Sequence, residues 1–507
     1  MVKNIIEYLQ YSVQKYPDKV AFVDQTSGIT FRSLDCWARQ IALLIQRKCP
    51  GIRNQPIAVY MGKGVSCLAA FLGVAYSGNF YAPLDVKSPM ERIGRILEVL
   101  QPAAVLYDRP LPDAMAHSCP QIEILESVAG QAEDTPQVDA FLSVLDVDPL
   151  YVMFTSGSTG QPKGVVISHR SVIDYVEWLK NTFGFSAQTV FGNQAPFYFD
   201  NSILDIYSTI KNGATMVIIP EHLFAFPKSL IEYLNSKEID TLFWVPSALI
   251  GVANSGILEK AEIPVLKKVL FCGEVMPNKQ LNIWRKRFPD ILYANLYGPT
   301  EITDVCTYYI IDRQFADEEP LPIGFPCRNT EILVLNEADQ AVQDGETGEL
   351  CVRGICLSAG YYNNEEKSAA VFVQNPLNKK YRDIIYRTGD LVRYNERGEM
   401  LYIGRKDFQI KHQGYRIELG EIEAAAYGIT QMKQCCAVYD ADHQRIVLYC
   451  VLNSLLSDKE IFLFLREKIP AYMLPKRIFI EDTLPLNANG KIDRLALKAL
   501  DLEKHAQ

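Results

Sequence analysis

The chain has 507 residues, 48% of them hydrophobic and 22% charged, with a formal net charge of −9. That length exceeds what one ordinary hydrophobic core serves, so two or more domains are expected in a soluble globular protein. The negative balance argues against a nucleic-acid surface or an anionic membrane as partner.

In chain order, the N-terminal Met1-Val2-Lys3-Asn4-Ile5-Ile6-Glu7 has no apolar signal core. No window of about 18 uncharged apolar residues occurs, so no membrane insertion is expected. Residues 5–15 read as a helix, with Ile5, Ile6, Leu9 and Val13 on one face. Short apolar runs then alternate with helical patterns. Ala21-Phe22-Val23, Ile57-Ala58-Val59-Tyr60, Ala103-Ala104-Val105-Leu106-Tyr107 and Leu150-Tyr151-Val152-Met153-Phe154 read as buried strands, with helices over 66–76 and 90–100 between them. Thr215-Met216-Val217-Ile218-Ile219, Thr241-Leu242-Phe243-Trp244-Val245 and Val269-Leu270-Phe271-Cys272 continue the pattern. This alternation predicts an α/β fold of layered subdomains with largely parallel sheets.

From about residue 320 the texture changes to short strands (331–335, 348–352, 399–403) separated by Gly, Asn and Asp turns, a β-rich subdomain. Beyond Arg405 a smaller α+β unit begins, with a helix around 420–427, a strand over 445–452 and a helix over 458–469. The predicted domains are 1–404 and 405–507. The second holds 15 Lys+Arg and 14 Asp+Glu, a net of +1, which leaves −10 for the first. Twelve cysteines are scattered without a Cys-x-x-Cys pair, and six histidines show no zinc spacing. Reduced thiols and a cytoplasmic protein are expected.

The stretch Thr155-Ser156-Gly157-Ser158-Thr159-Gly160-Gln161-Pro162-Lys163-Gly164 follows an apolar strand. Glycines let a backbone approach an anion closely, successive N–H groups form an anion nest, and hydroxyls and a lysine add charge-assisted bonds. No Gly-Lys-Ser/Thr triplet is present, so this is not a Walker A loop. Composition alone leaves a solvated surface loop as the alternative.

The segment resembles the phosphate loop of the acyl-adenylating superfamily, which includes acyl-CoA synthetases, luciferases and nonribosomal-peptide adenylation domains. Other signatures follow in order: Asn295-Leu296-Tyr297-Gly298-Pro299-Thr300-Glu301, Gly345-Glu346-Thr347-Gly348-Glu349-Leu350, Tyr386-Arg387-Thr388-Gly389-Asp390, Gly404-Arg405-Lys406-Asp407 and Asn489-Gly490-Lys491-Ile492-Asp493-Arg494. The resemblance implies ATP and Mg²⁺ as cofactors and attack of a substrate carboxylate on the α-phosphate. Thr155, Ser156, Gly157, Ser158, Thr159 and Lys163 would cradle phosphates. Glu301 would hold the metal and Thr300 the α-phosphate. Tyr297 would stack on adenine, with Asn295 near its exocyclic amine and Gly273 and Glu274 along its other face. Asp390 would accept the ribose hydroxyls, and Arg405 would reach ribose or phosphate. Lys491 would offset charge in the transition state. Asp407 occupies the hinge position, and residues 411–418 would approach a phosphopantetheine arm.

In amino-acid-activating members the aspartate after the aromatic of Phe197-Tyr198-Phe199-Asp200 binds the substrate α-ammonium, so Asp200 implies an amine-bearing substrate. Motif for motif, the chain most resembles the D-alanine:D-alanyl carrier protein ligases, through residues 193–197, 271–277 and 405–423. Alignment of motifs puts Asp200, Asn201, Leu204, Ser247, Leu270, Cys272, Leu296, Gly298, Asp304 and Val305 around the substrate, with Cys272 crowding a large side chain. Asn201 and Asp304 are more polar than an alanine site requires. Asp304 either pairs with a second amine or hydroxyl on the substrate or faces away and caps a turn. The expected partner is a separate carrier protein bearing phosphopantetheine. A small or polar amino acid other than D-alanine remains the competing substrate, and an acyl-CoA synthetase the more distant alternative.

Overall fold

The computed structural model describes residues 2–112, 115, 119–124, 137–157, 161–407, 409–441, 443–486, 492–494 and 496–498. Two compact units divide it. One comprises 1–84, 100–153 and 165–406; the other comprises 85–99, 154–164 and 407–507.

The first unit is built on two α/β sheets and one antiparallel sheet. In the nine-stranded sheet the strands run Phe325–Pro326, Thr307–Ile310, Leu292–Tyr297, Lys268–Phe271, Thr241–Trp244, Val190–Asn193, Thr215–Ile218, Val20–Val23 and Gly28–Thr30. From Leu292–Tyr297 to Val20–Val23 every pairing is parallel. A six-stranded sheet orders Gln121–Glu123, Ala104–Tyr107, Pro56–Tyr60, Phe80–Pro83, Pro149–Thr155 and Lys163–Ser168. Its strands Pro56–Tyr60 and Phe80–Pro83 are buried at every residue, as expected where crossover helices cover both faces. The helix Val65–Tyr76 is likewise buried along its whole length, which is why its sequence is apolar all round instead of amphipathic.

Helix boundaries follow local chemistry. Asn4 starts the helix Ile5–Lys15 by accepting the amides of Ile6 and Glu7 on its side chain, and Ser168 starts His169–Phe183 by accepting from Ser171. Left-handed Gly184 and Gly213 end helices. A Cβ at Gly213 would meet the Tyr16 ring at 2.3 Å, so this cap also permits close packing.

The β-rich part is an antiparallel sheet of Thr330–Leu335, Gly348–Gly354, Ile384–Tyr394, Phe372–Gln374 and Met400–Arg405. It packs a core of Val334, Leu350, Val352, Tyr386 and Val392 with Tyr297 and Ile302.

The second unit holds the hairpin Gln409–His412/Tyr415–Glu418 and the strands Met432–Asp440, Arg445–Leu452 and Arg477–Ile480, with the helices Leu419–Ala426 and Asp458–Lys468. Its main core gathers Ile417, Ile422, Leu448, Ile461 and Leu465. Within the unit Arg92 pairs with Glu421, both side chains nearly buried, and the rings of Tyr415 and Tyr472 stack with centroids 3.7 Å apart. All twelve cysteines are free thiols, eleven of them buried. Among the described residues no helix is long and apolar enough to cross a membrane.

Candidate active site

Four consecutive parallel strands, Val190–Asn193, Thr241–Trp244, Lys268–Phe271 and Leu292–Tyr297, bring their carboxyl ends to one edge, because Asn193 is in register with Phe243, Trp244 with Phe271 and Phe271 with Asn295. The ends of these strands, with Leu270 and Leu296, and the segments leaving them carry the sequence-predicted substrate residues. Open parallel sheets place ligands at this edge, where the loops after the strands diverge.

Leu204, Leu270, Cys272, Leu296 and Val305 are all at most 2% exposed and share one apolar cluster with Phe197 and Phe243. Asp200, 6% exposed, and Asn201 sit at the start of the helix Ser202–Asn212; the Asp200 carboxylate accepts the Asn201 amide at 3.0 Å. Asn201 Nδ2 donates to the Cys272 carbonyl at 3.5 Å, tying the segment after the first strand to the segment after the third. Ser247 opens the next helix, and its amide is taken by Glu274 Oε2 at 3.0 Å. Gly273 sits at φ 102, a left-handed conformation that leaves its segment close to the sheet edge. A Cβ on Gly298 would lie 2.4 Å from the Asp304 carbonyl oxygen, so the 303–305 turn packs directly on this glycine.

Asp304 does not cap a turn. It is 1% exposed, and its Oδ2 accepts the Tyr175 hydroxyl at 2.6 Å. Thr303 and Asp304 both adopt positive φ, 63 and 72, a conformation costly for non-glycine residues and held here by packing. Burial pushes the Asp304 carboxyl well above the usual carboxylate range; the charge of Asp200 adds to this and the Tyr175 hydrogen bond opposes it. Asp205, on the same helix as Leu204, is pushed up to about 7 by burial, against the opposing hydrogen bond from Asn193 Nδ2 at 2.9 Å.

The residues expected around the nucleotide form a second group. Thr300 and Glu301 start a short 3₁₀ turn after Pro299. Glu301 is fully buried and accepts the Tyr361 hydroxyl at 2.7 Å. Asp390 accepts from both sides: Arg405 Nη1 at 2.7 Å on Oδ1, and the Tyr297 hydroxyl on Oδ2. Its amide is held by Thr388 Oγ1 at 3.0 Å. The Tyr297 ring is 5% exposed and tilts against Tyr402. Asn295 Nδ2 donates to the Pro322 carbonyl at 2.8 Å, which leaves its Oδ1 as the group available to an amine.

In the second unit, Ser156 Oγ donates to the Arg416 carbonyl at 3.0 Å and Lys163 lies 3.7 Å from Glu418. A Cβ on Gly157 would stand 2.0 Å from the Gln161 carbonyl oxygen, so the loop closes only around glycine. The Thr155 hydroxyl is buried without a hydrogen-bond partner. Asp407, exposed, accepts the Gln409 amide on its carboxylate at 3.2 Å, and the division between the units falls just before it. Ser158, Thr159 and Lys491 lie outside the described residues.

Tyr175 and Tyr361, which hold Asp304 and Glu301, carried no motif signal. Asp205 carried none either, and its burial distinguishes it.

The model of the AMP-binding enzyme family matches residues 9–362, and that of the AMP-binding enzyme C-terminal domain matches residues 421–491. The chain belongs to the AMP-binding enzyme family. It is 35% identical to the D-alanine–D-alanyl carrier protein ligase of Lacticaseibacillus paracasei, over 98% of this chain and 99% of that one. With the enzyme of the same name from Listeria monocytogenes the identity is 31%, again over 98% and 99%. Among solved structures, the adenylation domain AlmE of Vibrio cholerae in complex with glycyl-adenosine-5'-phosphate superposes with a TM-score of 0.84 at 21% identity, over 99% of this chain and 98% of that one. A nonribosomal peptide synthetase protein containing adenylation and PCP domains superposes with a TM-score of 0.83 at 23% identity, over 98% and 84%. Membership in this family entails use of ATP with AMP as a product.

Proposed function

We propose that this family member is an amino acid–carrier protein ligase of the cytoplasm, which activates a small amino acid as its adenylate and passes the acyl group to the phosphopantetheine thiol of a separate carrier protein. The observation that carries the reading is the buried Asp200 at the carboxyl-end edge of the sheet, beside the apolar cluster that includes Cys272. A carboxylate in apolar surroundings attracts a cation, and a substrate α-ammonium would bring one to it. The full-length relatives named D-alanine–D-alanyl carrier protein ligase support D-alanine as the first reading of the substrate. The unsatisfied carboxyl oxygen of Asp304 supports a second, a small amino acid with a polar side chain.

The residues fit a nucleotide. Thr155 offers an orphaned hydroxyl and Gly157 a tight turn, the makings of an anion cradle, to which the sequence adds the hydroxyls of Ser156, Ser158 and Thr159 and the Lys163 ammonium. A carboxylate has about four lone-pair sites, so Asp390 can accept ribose hydroxyls while Tyr297 and Arg405 hold it in place. Mg²⁺ fits Glu301: among the described residues no cluster of three or more ligands exists, and Mg²⁺ is commonly held by one or two carboxylates with substrate phosphates completing its shell. When bound, the ion neutralises charge on the departing pyrophosphate. Glu301 would be aimed by Tyr361, and Thr300 would bond the α-phosphate. The substrate carboxylate is already ionised and needs no base; alignment and charge neutralisation carry the step. In this reading Lys491 supplies the positive charge between carboxylate and α-phosphate, in a domain of 405–507 that turns about Asp407 against a domain of 1–404.

Pyrophosphate exchange over all common L- and D-amino acids, with fatty and aryl acids as controls, tests the reading. Exchange with an amino acid is expected; exchange only with acids lacking an amine would replace it by an acyl-CoA synthetase. Lys491→Ala is expected to abolish adenylate formation while leaving thiol transfer from a preformed adenylate largely intact, and equal loss of both steps would remove the role given to it.

A further inference from the structure

We propose that Asp304 makes the substrate pocket select an alanine-sized amino acid carrying a second, side-chain ammonium, a short diamino acid such as 2,3-diaminopropionate. The inference rests on the reading of the Asp200 pocket as the amino acid site and names its substrate class.

Asp304 Oδ2 is engaged by Tyr175, but Oδ1 is buried and has no hydrogen-bond partner. Buried polar atoms are rarely left so, and an orphaned carboxylate oxygen is among the costliest. Among the described residues, the groups that bear on the Asp304 carboxyl are Asp200, Tyr175 and Asp205, none of them a cation. Tyr151 lies within the field of both Asp200 and Asp304. Tyr175 lies within that of Asp304 and Cys272. Asp200 and Asp205 both add negative potential at Asp304. Two buried carboxylates therefore bear on one region, where the neighbouring Leu204, Leu296 and Val305 are apolar.

A plain alanine offers one ammonium. It satisfies Asp200 and leaves Asp304 to stay protonated or unpaired. An amine on the β-carbon is charged, donates up to three hydrogen bonds and adds a single heavy atom to the alanine side chain. The backbone has been bent to present this carboxylate: Thr303 and Asp304 are both left-handed, and the turn is pressed on Gly298. An apolar side chain at this position would need neither the Tyr175 hydroxyl nor that geometry.

The test compares alanine, serine and 2,3-diaminopropionate, each in both hands, by pyrophosphate exchange with the wild type and with Asp304→Val and Asp304→Asn. The wild type is expected to prefer one hand of the diamino acid over the matching alanine by about tenfold or more in kcat/KM, because a site built around a polar partner penalises its absence. Asp304→Val is expected to lower diamino acid activation by about 100-fold and to raise that of alanine, reversing the preference. Asp304→Asn keeps shape and the Tyr175 bond without the charge, so it should lose the diamino acid while its thermal stabilisation by ATP is unchanged. A wild-type preference for alanine or serine over the diamino acid overturns the proposal while sparing the amino acid ligase reading. A ratio of diamino acid to alanine that is the same in all three proteins also overturns it. Exchange with no amino acid at all sinks the underlying reading instead.

Discussion

At the scale of single residues, the proposed function gives Cys272 the role of setting the width of the substrate pocket. Its side chain is 1% exposed among Leu270 and Leu296, and its carbonyl receives Asn201. The backbone contact does not depend on the side chain, so Cys272→Ala should leave the strand end in place and remove only the sulfur. Side chains one or two methylenes longer than the preferred substrate are expected to gain about five- to tenfold in relative kcat/KM, in line with what a methylene is worth in an apolar pocket. A competition assay over a homologous amino acid series checks this. Unchanged selectivity would mean that the sulfur does not face the substrate. The same scale shows where motif reading stops. Asp200, Cys272 and Glu301 stood in recognisable stretches, but the hydroxyls that orient the acidic groups come from Tyr175 and Tyr361, far away in the chain and surrounded by unremarkable sequence. Such a partner is defined by tertiary contact alone.

At the scale of elements, His169 joins two helices. It begins the helix His169–Phe183, and its Nδ1 accepts the amide of Ile5, the first residue of Ile5–Lys15, at 3.2 Å. Burial pushes its pKa down to about 3. The unfolded chain takes up a proton near pH 6.5 and the folded one does not until near pH 3, so the unfolded state binds more protons in between and stability falls as pH falls through that window. Between pH 7 and pH 5 this group alone should cost about 2 kcal/mol. His169→Gln keeps an acceptor for Ile5 without a titrating ring. Its melting temperature should drop less than that of the wild type over the same interval; parallel pH dependences would show that His169 is not held neutral. The elements themselves were legible to different degrees. The helix over 5–15 appears as Ile5–Lys15, because a one-sided apolar stripe fits a helix, and the strand over 445–452 as Arg445–Leu452, because a short apolar run holding Ile446, Val447, Tyr449 and Val451 favours a strand. The helix Val65–Tyr76 was readable from its length, not from periodicity, since it is buried all round. The paired left-handed residues Thr303 and Asp304 gave no signal; glycine or asparagine would have announced such a turn.

At the scale of the molecule, the cores show which pieces cohere. Residues 410–497 supply two apolar clusters entirely of their own, while the large clusters of the first unit run from Ile5 to Tyr361 and from Val217 to Leu321. The chain passes from one unit to the other after Lys406, whose amide bonds the Gly389 carbonyl at 2.8 Å and whose ammonium meets Glu349 at 3.1 Å. Lys406 is thus anchored in the β-rich sheet, and Asp407 is the first exposed residue beyond the anchor. If the two half-reactions need different orientations of the small domain, the dihedral change falls here. Proline fixes φ near −65° and restricts the residue before it, so Asp407→Pro should trap one orientation. One half-reaction is then expected to stay within about threefold of wild type while the other falls by about 100-fold or more, since a misplaced catalytic domain forfeits most of the proximity term. Pyrophosphate exchange reads adenylate formation, and loading of a phosphopantetheinylated carrier reads transfer. Retention of both steps would remove the hinge from Asp407, and equal loss of both with unchanged melting would do the same, because a trapped hinge must separate them.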